Sequence, residues 1–202
     1  MDYLAITGAV TAGLSAVAAV GSWRAARRAN KTAETVARIE RDRRHEERRP
    51  QFDLTLEARG PQHSMLNVHL AGPDELGEVE VVSIRVDDDD KDRTALTPGG
   101  VTREEVDNHV WGPLRFTPLC DGADRHGRGV GPFTLRVGRG RPLQMEPTRP
   151  GRWMTGTSPE QWQAEYSGHP VRMVITCRDG DQEWVLPRHL PIPPLRPPFG
   201  NA

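Results

Sequence analysis

The spacing of apolar residues changes along the chain, and each change marks an element. Residues 3–23, YLAITGAVTAGLSAVAAVGSW, form an uncharged run in which alanine and glycine do much of the filling. A helix of a small globular domain carries a polar face. This run has none, so it reads as a membrane span, for which about 20 mostly apolar residues suffice. The alternative, a core helix of a soluble protein, conflicts with the missing polar face. Gly8, Ala12 and Ala16 lie four apart. Such a small-residue stripe lets two membrane helices approach closely, so weak homo-oligomerisation through the anchor is one expectation.

Residues 24–49 contain no Gly or Pro, are rich in Ala, Arg and Glu, and run up to Pro50. They predict a polar helix continuing the span as a stalk. Glu34 with Arg38, and Glu40 with Arg44, stand in the favourable i,i+4 order. Ala25, Ala29, Thr32, Val36 and Ile39 trace a coiled-coil seam. It is shorter than the three to four heptads that a stable coiled coil needs. A solvated stalk is the simpler reading, and a helix lying on the membrane has too thin an apolar face here.

From Gln51 the helical period gives way to alternation. Phe52, Leu54, Leu56 and Ala58 alternate with polar residues, as do Leu66, Val68 and Leu70. So do Phe133, Leu135 and Val137, and then Val171, Met173, Ile175 and Cys177. Each set predicts a half-buried strand. The stretch Glu78–Val86 is apolar on both faces and predicts a central strand covered twice. Turn signals separate these runs, and Asp179-Gly180-Asp181 predicts a hairpin into Glu183 to Leu186. Ser158, with Pro159 and Gln161 after it, predicts a capped helix through Trp162 and Tyr166 to Gly168. Thr102, followed by Glu104 and Glu105, predicts a second short helix to Asn108.

The fold class is therefore mainly β. A transmembrane helix (1–23) continues into a polar juxtamembrane helix (24–49). An antiparallel β-sandwich-like domain with one or two short helices follows (50–190), a partly open barrel being the alternative. Residues 191–202 form a proline-rich tail, and Pro191, Pro194 and Arg196 match the PxxPxR ligand pattern.

Charge sharpens the picture. The net charge of −1 hides an asymmetry: residues 24–49 hold ten Lys or Arg against five Asp or Glu, and residues 50–202 hold 17 against 22. Arg24, Arg27, Arg28 and Lys31 directly follow the span, where they favour the cytoplasmic side and attract anionic lipid headgroups. The start of the chain offers Asp2 and no cation, unlike a cleavable signal peptide. The expected location is the cell membrane, single-pass, with the N-terminus outside and the β domain cytoplasmic. The mildly acidic distal region argues against a nucleic-acid surface. Two cysteines, Cys120 and Cys177, are too few for a disulfide framework. Cys177 falls in phase with a core face, and Cys120 sits in a loop.

Catalytic signatures are missing. No GxxxxGK[ST] loop, strand-borne GxGxxG or GxSxG elbow occurs. The seven histidines are scattered, with no HExxH, so no metal or cofactor is expected. Asp87, Asp88, Asp89 and Asp90, with Asp92, lack the spacing that wraps a cation and read as a solvated turn. Asp121, Asp124 and His126 lie in the glycine-rich loop CDGADRHGRG. With Trp111 and Trp153 they are the candidate interaction surface. Tryptophans in such turn-rich segments either bind partners or plug the ends of a sandwich.

The segments LAGPDEL, EEVDNHVWGPLRFTP, DGADRHGR and PVRMVITCRDGDQEW, with the Ala/Arg helix before them, carry a likeness. The chain resembles a group of uncharacterised actinobacterial membrane-anchored proteins with a short span, a polar helix and a β-rich domain. The resemblance implies that architecture and transfers no catalytic residue. The expected function is a membrane-anchored binding module for a protein partner. One alternative is a structural element oligomerising through anchor and stalk. Another is an enzyme in which Asp121, Asp124, His126 or His109 would have to converge in a cleft.

Overall fold

The computed structural model describes residues 31, 33–89, 91 and 101–193. The chain divides into two compact units, Met1–Arg48 and Arg49–Ala202. In the first, residues 33–47 form α1. Arg44 pairs with Glu40 at 3.3 Å and Arg43 with Glu47 at 2.7 Å, both one turn apart on the exposed helix surface. Val36 and Ile39 of the predicted seam are 59% and 60% exposed. The span at 3–23, its stripe of Gly8, Ala12 and Ala16, and the arginines at 24, 27 and 28 lie outside the described residues. Among the described residues no helix is long and apolar enough to cross a membrane.

The second unit is an antiparallel β-sandwich. Its strands are β1 (Gln51–Ala58), β2 (Ser64–Gly72), β3 (Glu78–Val86), β4 (Leu114–Phe116), β5 (Gly129–Val130), β6 (Phe133–Arg136), β7 (Gly140–Pro147), β8 (Val171–Asp179) and β9 (Gln182–Leu190). One sheet has the order β1-β2-β7-β4. The other runs β3-β8-β9, with β5 and β6 both pairing the free side of β3. Two short helices, α2 (Arg103–Asn108) and α3 (Pro159–Glu165), complete the unit. Both start with reciprocal capping boxes, Thr102 with Glu105 and Ser158 with Gln161. Each box satisfies N–H groups that a helix end leaves open.

Alternation builds the core. Leu66, Val68 and Leu70 from β2 and Leu143 and Met145 from β7 meet Met173, Ile175 and Cys177 from β8. Burying such side chains stabilises the fold by about 1.5 to 3 kcal/mol each. The predicted closing hairpin joins β8 to β9, with Asp179 opposite Gln182.

The prediction for β3 needs correction. Val79, Val81, Ile84 and Val86 are all buried, yet one face of the strand is solvated. Val81 pairs with Cys177 and Ser83 with Thr176, so Val82 is an extra residue without a counterpart. This bulge shifts the side-chain parity by one. Two short alternations of opposite phase therefore look, in the sequence, like burial on both faces. On the outer face Glu78 stands opposite Arg136 and Glu80 opposite Arg178, with ion pairs of 2.8 and 2.7 Å. Such exposed pairs contribute little to stability.

Candidate functional site

A second apolar cluster lies apart from the main core. Trp111, Trp162 and Tyr166 are buried in it, and Val106, Trp153 and Met154 pack against them. The capped helix α3 places Trp162 and Tyr166 one turn apart, with ring centroids at 5.0 Å. The His109 ring stands edge-on to Trp111 at 4.7 Å and to Trp153 and Trp162 at 5.4 Å each. Aromatic rings prefer such tilted contacts, which put a positive edge on a negative face.

Polar groups lock this cluster to the sandwich. Thr148 is the one almost fully buried polar residue among the described residues. Its hydroxyl donates to the Gly112 carbonyl and accepts from Trp162 Nε1 at 2.8 Å. The acidic run takes part as well, which corrects the solvated-turn reading. Asp88 Oδ1 accepts from the Trp111 backbone N–H at 3.0 Å, and Asp88 is clasped by Arg128. Asp89 accepts from the Tyr166 hydroxyl at 3.3 Å. Both carboxylates are turned inward because cluster and loop donors reach them there. Asp87 is exposed, and Asp90 and Asp92 lie outside the described residues.

The loop bearing the predicted polar residues is held by its own carboxylates. Asp124 accepts backbone N–H bonds from His126 at 2.7 Å, Arg128 at 3.1 Å and Gly129 at 2.7 Å. Asp121 accepts from the Gln144 N–H of β7 at 2.8 Å, replacing a strand partner where β4 does not reach. These two carboxylates organise the loop. His126 Nε2 accepts from Arg125 at 2.8 Å, and the His126 carbonyl accepts from Arg115 at 3.4 Å. Cys120 is half-buried in the same loop. Among the described residues no His, Cys, Asp or Glu set converges to hold a metal ion.

Three of the residues singled out in the sequence, His109, His126 and Trp153, do come together, lining an open cleft of about 370 Å³. Arg115, Arg149, Arg152 and Glu105 share its walls. Gly151 seats the Trp153 ring: a Cβ there would stand 2.6 Å from it, so the indole's position requires glycine. Trp153 is half-buried and lines the cleft, whereas Trp111 is buried at 5% exposure and anchors the cluster. Trp184 belongs to the main core. Beyond Trp162, a larger groove of about 690 Å³ is lined by prolines, among them Pro113, Pro147, Pro191 and Pro193. Pro194 and Arg196 of the PxxPxR pattern lie outside the described residues.

Sequence reasoning missed Thr148 and the three arginines. The run Arg149-Pro150-Gly151-Arg152-Trp153 was the available signal: two cations flank a turn beside an aromatic residue. Comparison with family models, curated proteins and solved structures finds no match to this chain.

Proposed function

We propose that the chain is a single-pass, membrane-anchored interaction module. Residues 3–23 hold it in the bilayer, Arg24, Arg27, Arg28 and Lys31 meet anionic headgroups, and the β-sandwich binds a protein partner in the cytoplasm. The observation that carries the reading is the Trp153 cleft, in which a rigid, half-buried aromatic face sits among arginines. Trp and Arg are the residue types that most often dominate protein interfaces. Loops and turns on a rigid sandwich suit recognition. A photo-crosslinking residue at Trp153 of the full-length protein in cells tests it. Discrete adducts in the membrane fraction, absent when the crosslinker replaces the exposed Val185 of β9, are expected.

A second reading, an oligomerising stalk, is favoured by the exposure of Val36 and Ile39 three residues apart on α1. Adducts between copies of the chain from Ile39, with none from Trp153, would replace the first reading by this one.

A further inference from the structure

We infer that the Trp153 cleft is a site for one carboxylate, presented by an acidic side chain of a peptide partner. This deepens the reading of the sandwich as an interaction module and rests on it. The argument starts from charge. Three arginines line the cleft, Arg115, Arg149 and Arg152. Arg115 is committed to Glu146, at 2.6 Å, and Arg152 to Glu105. Arg149 is exposed and makes no side-chain hydrogen bond or ion pair to any described residue. The cleft is thus left with one unmatched positive charge, in a domain whose residues 50–202 carry more acid than base. One unmatched cation balances a monoanion, and a phosphate dianion would exceed it. The planar fork of arginine fits a carboxylate with two parallel hydrogen bonds.

Shape agrees with charge. At about 370 Å³ the cleft lies at the small end of ligand pockets, of which about 300 Å³ is the lower bound. An acidic side chain with its flanking backbone fits such a volume. Trp153, seated on Gly151 and held edge-on by His109, offers its face to the aliphatic stem of that side chain. A rigid aromatic loses little conformational entropy on binding.

Fluorescence anisotropy of full-length protein with a short labelled peptide carrying a central glutamate tests this. Its counterpart carries glutamine there, and free propionate serves as competitor. Preference for the glutamate peptide by about tenfold is expected, the worth of one good charged contact. Arg149→Gln should abolish the preference, and Arg139→Gln, on the exposed turn before β7, should leave it intact. Equal binding of both peptides, an unchanged preference in Arg149→Gln, or propionate binding as tightly as the peptide would overturn the inference. Adducts from Trp153 that persist in cells with Arg149→Gln would then show that the interaction reading stands and only the carboxylate fails. Absence of adducts from the protein with Arg149 intact would remove both.

Discussion

Arg128 joins Asp88 to His109. Its guanidinium grips the Asp88 carboxylate with both terminal nitrogens and also donates to the His109 carbonyl at 2.9 Å. The segment after β3, the turn after α2 and the loop before β5 are thereby tied at one point. The side chains are 16% and 29% exposed, so the pair is largely removed from water. Breaking a fully buried pair costs about 3 to 5 kcal/mol. Partial exposure lowers the expectation for Arg128→Ala to about 2 kcal/mol. Arg128→Ala strips this donor from the His109 carbonyl and Asp88→Ala this acceptor from the Trp111 N–H; Asp88→Ala should cost more, because it strands the less exposed of the two charges. Urea denaturation of the two variants and the double variant measures the order.

Thr148→Val keeps the shape of the side chain and removes its hydroxyl. Trp162 Nε1 and the Gly112 carbonyl would then be buried without their partner. An unsatisfied buried polar group costs about 1 to 3 kcal/mol, so a loss of about 3 kcal/mol is expected. Thr148→Ser retains both bonds and should lose less than about 1 kcal/mol. Thermal denaturation followed by near-ultraviolet circular dichroism reads the stability and the indole environment together.

Gly127 stands where no Cβ fits. Its φ is +69°, and a Cβ would lie 2.1 Å from the Phe116 carbonyl oxygen of β4. The same pair exchanges a backbone bond, Phe116 N–H to the Gly127 carbonyl at 2.9 Å. Gly127→Ala therefore carries the left-handed strain of about 1 to 2 kcal/mol and a steric push on β4. A total of about 2 to 4 kcal/mol is expected. Hydrogen exchange should show the loop and β4 losing protection first.

Cys177 is buried in the main core, and burial pushes its thiol up to about 11. The neutral thiol is the nucleophile's resting form there, so Cys177 should resist maleimide at neutral pH in the folded protein. Half-buried Cys120 should react first, and Cys177 only after unfolding. The folded value is raised above the unfolded one. The stability it contributes is thus complete below about pH 9 and lost as pH rises toward 11. Cys177→Val should flatten that alkaline decline, measured as the denaturation midpoint against pH.

The sequence was informative wherever local physics decided the outcome. The alternations of β1, β2, β6 and β8, the two capping boxes and the β8–β9 hairpin depend on neighbours in the chain. β7 was not predicted, because Pro142 and Pro147 argue against a central strand. Only β2 pairs with it at Pro142, and β4 joins later, at Met145 to Pro147. β4 and β5 are too short to show a period. The site was legible in part. Trp153, His109 and His126 stood out by type, but the partners that pair off Arg115 and Arg152 come from other elements. Which arginine is left over depends on those pairings. The inward turn of Asp88 likewise depends on Arg128, 40 residues away.

The extra residue in β3 makes chain length a variable separate from composition. Replacing Val82 changes one half-buried side chain and leaves the frame intact. Deleting it would remove the bulge: Val81 and Ser83 would become neighbours, as their partners Cys177 and Thr176 already are, and Ile84 and Val86 would stay on the core face opposite β8. Descendants of this chain can therefore exchange residues along the outer face of β3 at little cost. They can also lose the bulged residue, whereas a second deletion in β3 would flip every side chain beyond it to the other face.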